Sequence, residues 1–86
     1  MTINDFIKAR RHLIWYTKNY DGLNAEAIVE ATLNYGNWGD VQTLAKIIGI
    51  KAMARIFRAQ TDPHRMRINY HPKTAHFFTL YFKRHA

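Results

Sequence analysis

Residues 40–60 read D-V-Q-T-L-A-K-I-I-G-I-K-A-M-A-R-I-F-R-A-Q, and this stretch decides the fold class. Val41, Leu44, Ala45 and Ile48 recur at helical spacing, and Met53, Ile56 and Phe57 do so again further on. Gly49 stands between the two stripes, which predicts two short helices joined through one glycine, a helix-turn-helix-like hairpin. Ala45, Ala52 and Ala54 are small enough for neighbouring helices to cross closely. Arg55 and Arg58 fall away from the apolar stripe and are expected to face water. Asp40 reads as the N-cap of the first helix of the pair.

Upstream, Asn24 suits an N-cap and Ala25 to Tyr35 a helix, with Ala27, Ile28, Ala31, Leu33 and Tyr35 on its apolar side. Gly36 is expected to close it as a left-handed cap residue. Thr2 and Asp5 have the spacing of a capping box, which opens a short first helix over Ile3, Phe6 and Ile7. The L-I-W-Y run, residues 13–16, is too short for its periodicity to separate helix from extended chain. Trp15 and Tyr16 are read as core or core edge, and T-K-N-Y-D-G after them as a turn.

Downstream, Thr61-Asp62-Pro63 stops the second hairpin helix, because proline biases its predecessor away from helix. A basic loop follows, about residues 61–71, and Pro72 suits the first position of a new helix. That closing helix, about residues 72–83, carries Ala75, Phe78 and Phe82 on one face with Phe77 and Tyr81 beside them. So broad a stripe places it deep in the core. The expectation is an all-α protein: one domain, residues 1–86, built as a compact bundle of four or five short helices.

Composition narrows the function classes. Nearly half the residues are apolar and twelve are aromatic, enough for a packed core and too many for disorder. With no cysteine there is neither a disulfide framework nor a thiolate metal site. No apolar run nears the roughly 18 residues of a membrane span, and the M-T-I-N-D-F start lacks the order of a secretory signal. A cytoplasmic protein without a membrane role is the expectation. The net charge of +7 is uneven. Residues 1–43 hold four Lys/Arg against five acids, whereas residues 44–86 hold nine against Asp62 alone. Such asymmetry points to an anionic partner: nucleic acid, DNA or RNA, or an acidic protein surface.

The basic residues concentrate between Arg55 and Lys73. As a helix-turn-helix, the second helix would bring Lys51, Arg55 and Arg58 to bases or phosphates. In the loop, Arg65, Arg67, His71 and Lys73 supply phosphate-binding groups, and Tyr70 an aromatic able to stack on an unpaired base. Arg58 with His64, and Arg65 with His71, have the R-x(4–6)-H spacing of a helical RNase family, though Pro63 and Pro72 interrupt the helix that would hold such pairs. The histidines lack clustered acids, no phosphate-cradling glycine loop is present, and no metal or cofactor is expected.

The order of landmarks resembles a known family. H-L-I-W-Y, then I-V-E-A-T-L-N-Y-G-N-W-G-D-V-Q-T-L-A-K-I-I-G, then I-F-R-A, then H-P-K-T-A-H-F-F-T-L-Y-F look like the short uncharacterised helical proteins encoded beside nucleotidyltransferase-type toxins of bacterial abortive-infection and toxin–antitoxin loci. The resemblance covers about residues 12–82. It implies a non-enzymatic, antitoxin-like role with a cognate toxin as partner. The expected function is thus a small binding protein that meets nucleic acid or a toxin through its basic C-terminal half. A helix-turn-helix transcriptional regulator is the alternative, and a small RNase using Arg/His pairs the minor one.

Overall fold

The computed structural model describes residues 2–14, 24–64, 68 and 70–86. Over these the chain forms α1 (Ile3–Lys8), a 3₁₀ turn (Arg11–Ile14), α2 (Ala25–Tyr35), α3 (Trp38–Ile48), α4 (Ile50–Gln60) and α5 (Pro72–His85). No β-strand occurs among the described residues, so the protein is an all-α helical bundle. Trp15, Tyr16 and the T-K-N-Y-D-G turn lie outside them.

Local chemistry sets the helix ends. At α1 the Thr2 hydroxyl accepts the Asp5 N–H while the Asp5 carboxylate accepts the Thr2 N–H, closing the capping box. Asn24 caps α2 by accepting the Ala27 N–H at 2.9 Å. Helix α3 starts earlier than expected, because Asn37 is its N-cap rather than Asp40. Asn37 Oδ1 accepts the Asp40 N–H at 2.8 Å, and Asp40 Oδ2 accepts the Asn37 N–H at 3.1 Å. Asp40 is therefore the third helical residue of a second capping box.

The two glycines flanking α3 serve different needs. Gly36 is extended, with φ at −79°, and not left-handed as expected. It is glycine for want of space: a Cβ there would lie 2.7 Å from the Thr32 carbonyl oxygen and 3.1 Å from Asp40 Cβ. Gly49 has φ at +89°, a conformation L side chains rarely adopt, and it alone connects α3 to α4. The connection thus needs one residue where helix-turn-helix pairs commonly use about three or four.

Helix α2 is the centre of the bundle, packing on the 3₁₀ turn, α3, α4 and α5. Its buried residues, Ile28, Val29, Ala31, Thr32 and Leu33, therefore spread around the helix instead of forming one stripe, and Tyr35 is left exposed. The Thr32 hydroxyl satisfies itself on the Ile28 carbonyl at 2.7 Å. Phe6, Ile7, Leu13, Val41, Leu44, Met53, Ala54, Phe57, Tyr70, Phe78 and Phe82 join them in the core. Around Phe57 the rings of Tyr70, Phe78 and Phe82 lie with centroids 5.1, 6.2 and 5.3 Å away.

An ion pair ties the segment just after α1 to α3. Arg10 Nε donates to Asp40 Oδ1 at 2.8 Å, with the Arg10 guanidinium also 4.3 Å above the Phe6 ring. Burial pushes the Asp40 carboxyl up, but the Arg10 bond and the Asn37 N–H outweigh it and hold it below the ordinary carboxylate value.

Helix α5 is the departure from expectation. It fully buries only Phe78 and Phe82, Tyr81 is half-buried, and Phe77 and Leu80 stay at the surface. It caps the bundle with one face and does not lie deep within it.

Candidate functional site

Met53, Ala54, Phe57 and Gln60 face α4 inward, so its other side is turned to water. Lys51, Arg55 and Arg58 sit there at i, i+4 and i+7, all exposed, as one line of cations about 10 Å long. Arg58 ends that line at a groove of about 590 Å³ between the end of α4 and α5. Phe57 and Phe82 form the groove's apolar floor, Lys83 of α5 its opposite wall, and Asp62 and His64 its rim.

Few of the described acids are ion-paired with a basic side chain. Among the described residues, Asp40 is taken by Arg10 and Asp5 by the Thr2 cap. Asp62 accepts the His64 backbone N–H at 2.8 Å and sits 3.1 Å from its ring Nδ1, and these bonds lower its carboxyl below the ordinary value. Among the described residues, Lys51, Arg55, Arg58, Lys73, Lys83 and Arg84 make no ion pair.

The other expected site residues divide. Arg65 and Arg67 lie outside the described residues. His71 is the N-cap of α5, its Nδ1 accepting the Lys73 N–H at 3.2 Å. Lys73 is exposed but borders a different groove, beside Trp38 and Phe77, and so does not join the α4 line.

Tyr70 is not a surface platform. It is 7% exposed, its ring edge-to-face with Phe57 and its hydroxyl donating to Gln60 Oε1. Gln60 Nε2 in turn donates to the Glu26 carbonyl at 2.8 Å. The phenol gains apolar contact and a buried hydrogen-bond partner at once, and this draws it inward.

Of the two Arg/His pairs, Arg58 and His64 share the groove rim, but the His64 side chain is almost wholly in water and engaged with Asp62. Among the described residues no three His, Cys, Asp or Glu side chains could hold a metal ion, and no helix is long and apolar enough to cross a membrane.

A second surface was missed. Trp38, Phe77 and Leu80 are 44%, 51% and 54% exposed and lie together along α5. The adjacency of Phe77 and Phe78 bears on this: neighbours on a helix point about 100° apart, so a helix covered on one side only leaves one of two such rings toward water. No family model matches this chain, and no curated protein and no solved structure is significantly similar to it.

Proposed function

We propose that this chain is a small non-enzymatic binding protein that engages nucleic acid through the cations of α4 and the adjoining wall of α5. The observation that carries the proposal is the line Lys51, Arg55, Arg58 continued by Lys83 across the groove, four exposed cations without an ion pair among the described residues. Surfaces that serve only solubility intersperse both signs. An uncompensated line is what a phosphate backbone needs, since each neutralised phosphate releases condensed counterions. The antitoxin-like role comes from the resemblance to proteins of toxin loci, which the charge distribution accommodates.

The test is a salt titration of binding to a labelled single strand and a labelled duplex. Four contacts predict a slope of log K against log salt of about −2.8 on the single strand or about −3.6 on the duplex. Replacing Lys51, Arg55 and Arg58 by alanine leaves Lys83 and reduces the slope to about −0.7 or −0.9. Binding that ignores salt, or that the triple variant retains, overturns the proposal.

The same three cations on the second helix of the α3–α4 pair also favour a regulator whose α4 lies in the major groove. That version predicts discrimination among duplex sequences. The RNase reading predicts RNA cleavage lost in His64→Ala; clean protein that cleaves no RNA removes it.

A further inference from the structure

Helix α5 is apolar on two sides, and only one of them is covered. Phe78 and Phe82 enter the core, while Phe77 and Leu80 stand in water with Tyr81 half-buried beside them. Trp38 reaches over from α3: its ring centroid is 6.0 Å from that of Phe77 and 5.1 Å from that of Tyr81, near-perpendicular to both. Phe77 and Tyr81 are within 6° of parallel. These rings brace one another, so the apolar ridge is built before anything binds it.

Cations mark both ends of the ridge. Lys73, one turn before Phe77, shares a groove of about 290 Å³ with Trp38 and Phe77. Arg84, one turn after Leu80, shares another of about 270 Å³ with Phe77, Leu80 and Tyr81. Helix α5 contains no acidic residue.

We propose that this face is a docking surface for an acidic amphipathic helix of a partner protein. The contact positions Lys73, Phe77, Leu80, Tyr81 and Arg84 follow the helical repeat over about 16 Å, three turns, which suits a partner helix laid alongside. Basic ends and the absence of any acid on α5 require negative charge at the ends of the occupant. A second copy of this chain fits badly: a two-fold contact through α5 brings Lys73 of one copy to Arg84 of the other. Nucleic acid fits less well than at α4, since Trp38 meets Phe77 and Tyr81 edge-to-face and Leu80 offers no face on which a base can stack. None of Lys51, Arg55, Arg58 or Lys83 takes part, so the surface stands whether or not α4 binds nucleic acid.

The experiment is a display selection of randomised, helix-biased peptides about four turns long against the full chain. Enriched peptides are expected to carry apolar residues at helical spacing with Asp or Glu at both ends. They should bind Phe77→Asp/Leu80→Asp at least about tenfold more weakly. Because those substitutions touch α5, Lys73→Glu/Arg84→Glu, which changes only exposed side chains, serves as a second variant and should show the same loss. Circular dichroism confirms that each variant is folded. The proposal is overturned by an absence of enrichment, by enriched peptides without acids, or by equal binding to the folded variants. Light scattering that finds a dimer dissolved by either variant assigns the face to a second copy instead. Oligouridine that shifts the Trp38, Phe77 and Leu80 amide resonances assigns it to nucleic acid.

Discussion

Tyr70 and Gln60 offer the sharpest check on which residues serve the fold and which a ligand. Gln60 is buried at the end of α4 and spans two partners, accepting from the Tyr70 hydroxyl and donating to the Glu26 carbonyl of α2. Gln60→Ala removes both bonds, and a typical hydrogen bond contributes about 0.5–1.5 kcal/mol. The expected loss is about 1–3 kcal/mol, which for a domain of this size lowers Tm by about 4–24 °C. Tyr70→Phe keeps the ring against Phe57 and removes only the hydroxyl, so about 1–2 kcal/mol is expected. The double variant should lose less than the two single losses together, by about 1 kcal/mol, because the phenylalanine no longer leaves a hydroxyl unpaired. Thermal and urea melts measure all three, and the same samples go into the nucleic-acid titration. If Tyr70→Phe leaves Tm unchanged but weakens nucleic-acid binding, the hydroxyl serves a ligand instead of Gln60 and its assignment to the core is wrong.

Three further outcomes follow from the geometry. The Asp40 carboxyl sits below its ordinary value of 3.8 in the folded chain, so its stabilising effect is full above that value and is lost as pH falls through the folded-state pKa. Asp5 and Asp62 share the sign, and urea melts from neutral pH to about pH 2 should show Asp40→Asn flattening the acid limb relative to wild type. Gly36→Ala should destabilise by about 1–3 kcal/mol through collision with the Thr32 carbonyl, while Gly49→Ala should cost about 1 kcal/mol through backbone strain alone; urea melts rank them. Replacing Lys51, Arg55 and Arg58 by alanine should move the stability of the chain by no more than about 0.5 kcal/mol per site, since all three are exposed and none is ion-paired among the described residues.

The helices of the second half were legible because periodicity and punctuation agree there. Met53, Ile56 and Phe57 recur at helical spacing, Gly49 and Pro63 bracket them, and α4 forms between. What escaped the sequence depends on partners far along the chain. Arg10 finds Asp40 thirty residues away, and Gln60 finds Glu26 thirty-four away, and no local pattern announces either. Tyr70 sits between two prolines and reads as loop, although a buried amide ten residues earlier was waiting for its hydroxyl. At Gly36 the residue type was right for the wrong reason: the position demands small volume, not positive φ. Asp40 was misplaced because Asn37 and Asp40 can each cap a helix; their three-residue spacing is itself the capping-box signature that decides between them. On α5, apolar breadth was taken for burial, whereas a helix on the outside of the bundle has one side to bury and the other to offer.

The two surfaces differ in the physics that would hold a partner, and salt separates them. Contacts of Lys51, Arg55, Arg58 and Lys83 with phosphates weaken as counterions are restored, by about 3.6 decades per decade of salt on a duplex. Contacts of Trp38, Phe77 and Leu80 with an apolar stripe do not release counterions, and only the end charges at Lys73 and Arg84 are screened. A complex held by α5 should therefore lose at most about tenfold in affinity between about 0.1 M and 1 M salt, while nucleic acid on α4 loses about a thousandfold or more. A mixed sample carrying both ligands should release the nucleic acid first and keep the helical peptide. Simultaneous release at one salt concentration would mean that the two share a surface, and the assignment of separate roles to α4 and α5 would fail.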